Sequence, residues 1–555
     1  MFLNTGTKKK ILNSCLIKQV IIIFALVSCD QTPKLPMQKS KKKEYTFIPP
    51  MTVRELLKQC RDELRNKAEC SCLESAYQGM KGKPNYEDIK HSPTGRICLV
   101  TKDGEYMEGK NGTTADKNSE TNTISWEKSQ QIYQNSKRSI ELNADSDAKG
   151  NKIISWIHKT AKGASVIFKL EVEREWSKPI GLSREGMIAE NPNAFIMDDV
   201  SIIIWQEGAE IRMNRIINTQ AQTTSTEIIT KNAKYFSAAK DAKNKRIIIA
   251  TEQMSGTAPN IELWSIDITT GKVSKEMFQK TLTNSERPFI AFNNTGQGAL
   301  AYFASDDDNA TKKVLVNRYL ADQGTWENAK ILSGQRSETS SAAKSQGSED
   351  IEVTMNDAGE IHVVWVSSGT PYSENQPYYS DIYYNKVETT GDQGTAKKIN
   401  QTDSSENSHP QIYSSKTNKI LILWRSRDKK KYQTIYSHII SNEGTTILAP
   451  RRIDKADIST SWDTAATALD NGEFLVTYSQ WNQERMKYIL KSSYSNTIGW
   501  QQPSLLFADK WVRGHSTSPF LLKEADQNVT LLWRIYSDEQ SSIEASSLTS
   551  ISDTN

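Results

Sequence analysis

At 555 residues the chain is long enough for several domains. Its net charge of +4 is unevenly placed: residues 1–50 hold nine lysines against Asp30 and Glu44, and the remainder carries 61 basic and 64 acidic groups. A basic nucleic-acid face is therefore not indicated, because the excess positive charge belongs to the first fifty residues alone.

Lys8, Lys9 and Lys10 form a positive start, and Val20 to Val27 an apolar core. That core is shorter than the roughly 20 residues a membrane-spanning helix needs, so it reads as a secretory signal, residues 1–28. Leu26-Val27-Ser28-Cys29 resembles the bacterial lipobox. The resemblance implies cleavage after Ser28, diacylglycerol on Cys29 and a fatty acyl chain such as palmitate on the new amino group. Two or more chains hold a protein stably on a membrane. An ordinary signal peptide with an incidental cysteine is the alternative. Asp30 resembles an inner-membrane retention signal of enteric bacteria, but other lineages follow other rules. The expected place is thus the cell envelope, on the inner or outer membrane, facing the periplasm or the surface. Residues 29–50, with Pro33, Pro36, Pro49, Pro50 and Lys39, Lys41, Lys42 and Lys43, read as a basic tether. Its lysines lie near anionic headgroups, or it is a solvated spacer.

Cys60, Cys70, Cys72 and Cys98 remain after Cys15 leaves with the signal. An even number in an exported region suggests two disulfides, with three possible pairings. A four-cysteine zinc site is the competitor, although paired C-x₂-C knuckles are missing. Thr52-Val53-Arg54-Glu55 reads as a capping box opening a helix to about Lys67. Residues 51–122 are therefore expected to form a small disulfide-linked helical module and its polar linker.

From residue 123 short β-rich runs alternate with Asn, Asp and Gly turns. An apolar run ending in an aromatic recurs: Ile153 to Trp156, Ile202 to Trp205, Ala299 to Tyr302, His362 to Trp365, Leu421 to Trp424, Leu475 to Tyr478 and Thr530 to Trp533. Ile247 to Ala250 lacks the aromatic. Such periodicity predicts a mainly β ring over 123–555, an eight-bladed β-propeller of four-stranded antiparallel blades. The near-continuous apolar second strand reads as buried on both faces. Ile124 to Tyr133 is expected to pair with the C-terminal blade and close the ring. Seven blades, or two β-sandwiches, are the rivals.

The repeat resembles the sialidase-like β-propellers, known for Asp-box turns. The best local match is Gly359 to Trp365 followed by Asp381-Ile382-Tyr383-Tyr384. Asp322-Gln323-Gly324-Thr325-Trp326 keeps Asp-x-Gly but reaches Thr-Trp one residue early, and Asp392-Gln393-Gly394-Thr395 loses the Trp. The resemblance implies three arginines clamping a carboxylate, a tyrosine nucleophile with a glutamate partner and an acidic acid/base. The family's Arg-Ile-Pro motif is missing. Two arginines follow inner-strand tryptophans, Arg425 and Arg534, and with Arg513 they are candidates for an anion pocket. Loop-end arginines paired with nearby acids are the plainer reading.

Leu263 to Lys272 carries one Asp-x-x-Thr-Gly-Lys turn similar to that of quinoprotein-type propellers, where it recurs in most blades. Asp306-Asp307-Asp308-Asn309 reads as an acidic hairpin tip rather than a calcium site. The six histidines show no ligand spacing, and no phosphate loop or nucleophile elbow appears. No cofactor or metal is implied, and no catalytic residue is assigned. The expected function is a membrane-anchored ring that binds or scaffolds a protein or glycan, with Ser333–Asp350 and Ser367–Ser380 as candidate recognition insertions. The alternatives are a sialidase-like glycoside hydrolase using the central pocket, and a structural part of envelope assembly machinery.

Overall fold

The computed structural model describes residues 123–552 apart from short connections, the longest being 334–349 and 369–379. The signal and cleavage position Ser28, lipidation candidate Cys29, the tether, the four module cysteines, Asp306–Asn309 and Arg513 lie outside the described residues. Among the described residues every regular element is a β-strand.

The strands form antiparallel meanders that follow the chain. The first meander comprises Ser139–Ser146, Lys152–Thr160 and Gly163–Val172, with an outer fourth position shared by two short strands. The second to fourth begin at Ala189, Ala233 and Asn284, and the fifth to eighth at Ile351, Glu406, Ser461 and His515. The fifth and sixth are joined into one sheet by a parallel bridge between Ser380 and Glu406. The eighth takes its outer position from the start of the described chain: Thr123–Trp126 and Gln130–Asn135 both pair with Ser541–Ser552. The exposed backbone edge of the last strand is thereby satisfied.

First strands pack against one another in turn except between the second and third meanders, which meet through a shared core and the Asn191 side chain on Phe236 O, and that of the eighth meets that of the first, so the arrangement is propeller-like. The second strand carries the core because its residues alternate between two seams. Ile153 and Ile157 enter the core shared with the second meander, whereas Ile154 and Trp156 enter the one shared with the eighth. Trp205, Trp424 and Trp533 are as deeply buried as Trp156. Ala250, the weakest member of the repeat, is equally buried, between the third and fourth meanders. The period of two thus explains an unbroken apolar run with no solvent face.

Turns between strands follow their own chemistry. Asp267 Oδ1 accepts from Thr270 N at 2.7 Å and from Thr270 Oγ1 at 2.9 Å, so the Asp-x-x-Thr-Gly-Lys segment is a closed hairpin turn. Gly472 has a φ of +79°, and a Cβ there would run into the Thr417 side chain of the preceding meander. Gly472→Ala should cost about 1–2 kcal/mol, read as a shift in the denaturation midpoint with unchanged slope.

Candidate functional site

In the first, second, fourth, sixth and eighth meanders the first strand slips by one residue against the second. The residue at the slip has a positive φ: Glu141 (52°), Asn191 (52°), Arg287 (51°), His409 (50°) and Ser518 (52°). The last four precede Pro192, Pro288, Pro410 and Pro519, which have no N–H to offer a ladder and are tolerated at bulges. The bulge amide turns out of its own sheet and donates to a carboxylate of the preceding meander. Asn191 N reaches Glu141 Oε2 at 2.6 Å, Arg287 N reaches Glu252 Oε2 at 3.0 Å, His409 N reaches Asp350 Oδ2 at 3.1 Å, and Ser518 N reaches Asp463 Oδ2 at 3.1 Å.

These clamps join meanders in pairs: first to second, third to fourth, fifth to sixth, seventh to eighth. A left-handed non-glycine residue costs on the order of 1–3 kcal/mol, and a hydrogen bond to a charged group returns about 1.5–3. The two nearly cancel, so the clamps fix geometry rather than add stability. A second rung lies deeper: Ala194 N donates to Asn143 Oδ1 at 2.8 Å, Ile290 N to Ser237 Oγ at 3.3 Å, and Ile412 N to Glu352 Oε2 at 3.1 Å.

The bulges sit near the starts of first strands, at the end of the ring where second strands finish. Arg425 lies there, opposite Ser408. Its Nη2 is 3.8 Å from Asp463 Oδ1, and its guanidinium stands 5.6 Å from the Trp462 ring, which is 37% exposed. Arg425 Nε is buried without a hydrogen-bond partner among the described residues. Burial lowers the Arg425 pKa against the opposing pull of Asp463 and Asp350.

Burial pushes Glu352 up to about 8, with Asp350 adding to the rise and the Ile412 amide opposing it. Tyr235 is pushed up to about 12 by burial and the Glu352 charge, while Arg287, 5.7 Å from its ring, pulls the other way. Burial, then Glu352, raises Tyr413 as well. His409 is lowered by burial and by Arg425, and its Nδ1 stands 3.8 Å from Asp350 Oδ2. Tyr235 belongs to the third meander, and Glu352 and Asp350 to the fifth. The charge of Glu352 and, more weakly, that of Asp350 act on Tyr235 past the intervening fourth meander.

Arg534 has a different setting. Its Nη1 donates to Ser139 O at 2.6 Å, and Nε and Nη2 donate to Thr517 Oγ1 at 3.2 and 2.8 Å. The guanidinium lies over the Tyr536 ring at 4.7 Å, and burial with the Arg138 charge brings its pKa down to about 10. Arg534 therefore ties the eighth meander to the first. Both arginines stand on second strands rather than on the innermost ones, and Asp463 acts on each. Ser437 and His438 have separate partners, Trp500 Nε1 at 2.6 Å and Thr446 Oγ1 at 3.2 Å. Among the described residues no group of His, Cys, Asp and Glu is arranged to hold a metal ion.

Sequence reasoning did not single out Tyr235, Glu252, Arg287, Asp350, Glu352, His409, Tyr413 or Asp463. The available signal was the x-Pro pair in alternate first strands, as in Ser408-His409-Pro410.

No family model matches the chain, and no curated protein does. Among solved structures, the polysaccharide lyase Uly1 is 9% identical over 64% of this chain and 89% of its own, with a TM-score of 0.41. An α-L-arabinanase from Penicillium chrysogenum complexed with arabinobiose is 9% identical over 57% and 93%, at 0.34. A protein of unknown function from Dyadobacter fermentans is 12% identical over 57% and 94%, at 0.35. Likeness of this degree carries no argument about what this chain binds or cuts.

Proposed function

We propose that the protein is a lipid-anchored envelope component whose meanders are the eight blades of a propeller, and that the axial end of this propeller binds a glycan. In this reading Cys29 carries the lipid, residues 29–50 form the tether, Cys60, Cys70, Cys72 and Cys98 staple the module at 51–122, and the ring occupies 123–555. The observation that supports glycan binding is the gathering of Asp350, His409, Arg425, Asp463 and partly exposed Trp462 at one end of the fifth, sixth and seventh meanders. The guanidinium donates, the carboxylates accept, and the Trp462 ring offers a face, a combination that matches the hydroxyls and C–H face of a sugar. The partly buried, hydrogen-bond-poor Arg425 is the strongest free donor of the set.

Arg425→Ala is expected to weaken glycan binding at least tenfold, about 1.4 kcal/mol, without lowering the melting temperature. Titration of the mature protein against a glycan panel by calorimetry reads this. Unchanged affinity in the variant, or no saturable binding by the parent, would sink the reading.

One observation favours glycoside hydrolysis as a second reading. Glu352 and Asp350 stand two residues apart, at and just before the first strand of the fifth meander, in environments that differ: burial pushes Glu352 up to about 8, while the Asp350 carboxylate faces the His409 amide and imidazole. A carboxyl held neutral beside a second carboxyl in a different environment is the arrangement that glycosidic-bond cleavage requires.

A further inference from the structure

A second concave feature lies at the outer edge of the fourth meander, away from the axis. The outer strand there is broken: Thr325–Trp326 and Lys330–Ile331 each pair with Lys313–Leu320, and after the Glu327 N–H to Arg318 O bond the paired register lapses until Lys330. At the break Asn317, fully buried, donates through Nδ2 to Glu327 O at 2.8 Å and to Gln279 O at 3.2 Å. One carboxamide thus ties the connection leaving the third meander to the broken strand of the fourth. Between the two lies a cleft of about 860 Å³, whose walls include Met277, Phe278, Gln279, Gln323, Trp326 and Asn328.

We propose that this cleft is a binding site for an uncharged oligosaccharide, separate from the axial end. Its volume falls within the range of sites for small organic ligands. Three carboxamides, each able to donate and accept, complement hydroxyl groups, which do the same. Exposed Met277 and partly buried Phe278 supply an apolar wall for the C–H face of a sugar ring, backed by buried Trp326. Charged groups at the cleft are already engaged: Lys330 Nζ donates to the Gly391 carbonyl of the fifth meander, and Glu327 faces buried Arg318. A nucleotide or other polyanion would find no free cluster of cations here, and an acyl chain would bury the carboxamides without partners. The Trp326 ring behind that wall packs on Tyr319 at 5.3 Å and Phe292 at 6.3 Å, so the floor of the cleft is preformed.

The test uses the mature full-length lipoprotein in lipid nanodiscs, with maltotriose and N-acetylchitotriose as probes. Expected is saturable binding of at least one trisaccharide, with slowed amide exchange confined to residues 277–279 and 320–330. Gln323→Ala combined with Asn328→Ala, both exposed side chains, should weaken that binding at least tenfold with an unchanged melting curve. The proposal is overturned if neither trisaccharide saturates, if the protection maps instead to the segments around Asp350, His409 and Arg425, or if the double variant binds like the parent. Selection of an extended peptide at the cleft that neither sugar displaces would also overturn it, since the broken strand would then be adding a β-strand partner.

Discussion

Arg534→Ala should lower the unfolding free energy by about 2–4 kcal/mol and loosen one seam before the rest of the ring. Three hydrogen bonds to Ser139 O and Thr517 Oγ1 disappear, each donated by the charged guanidinium, and with them the stacking on Tyr536. The cost is large because the guanidinium is only 7% exposed, so water does not replace the lost partners well. Arg534→Lys retains the charge but not the planar fork, and it should fall between the parent and the alanine variant. Chemical denaturation gives the magnitude, and hydrogen exchange gives the place. Faster exchange should appear first in Thr123–Trp126, Gln130–Asn135 and Ser541–Ser552, the strands that close the eighth meander. Exchange that accelerates evenly around the ring would show that Arg534 is no closing clamp.

Glu352→Gln should stabilise the protein in mild alkali and leave it unchanged near pH 4. An unfolded glutamate titrates near 4.3, whereas Glu352 in the folded chain titrates near 8. Between those values the folded state holds a proton that the unfolded state has released. Stability is therefore fully present below about pH 4.3 and is lost progressively as pH rises through 8. Glutamine has no proton to lose, and its carbonyl still accepts from the Ile412 amide. The gain at pH 8.5 should be roughly 2–4 kcal/mol, discounted because Glu352 keeps some access to water. Asp350, Tyr235, Tyr413 and Arg287 face the same space, so the comparison is made in the parent background with all four intact. Parallel stability curves for parent and variant between pH 5 and 8.5 would remove the buried-acid assignment. The same variant decides the hydrolase reading: if an aryl glycoside is cleaved by the parent, cleavage should disappear in Glu352→Gln.

The scaffold was legible because its signal is local and repeated. An apolar run of four residues, 45 to 63 residues from the next and ending in an aromatic in all but the third, marks each second strand, and burial on both faces explains its composition. Pairing of Ile124–Trp126 with the last strand followed from the same count, since the final unit needed an outer strand. The axial cluster was hidden for the opposite reason. Asp350, Glu352 and Asp463 are single acids on strands, and nothing in their own segments separates them from solvated charges. Their surroundings arise only when neighbouring meanders pack together. Arg425 and Arg534 shared one sequence context, Trp-Arg at the end of an apolar strand. The ring gives them unequal neighbours: Asp463 and half-exposed Trp462 for Arg425, the Ser139 carbonyl and Thr517 hydroxyl for Arg534.

The carboxylate clamps also give the ring a parity. An acid-bearing meander is followed by one whose x-Pro bulge presents the matching amide, and the members of a pair are not interchangeable. Inserting or deleting a single meander would set two donors or two acceptors side by side and leave a left-handed bulge uncompensated. A loss or gain of two in succession would preserve every match. Circular variants of this protein should therefore tolerate changes in even steps, and the unit that duplicates or is excised intact is the coupled pair rather than the single sheet.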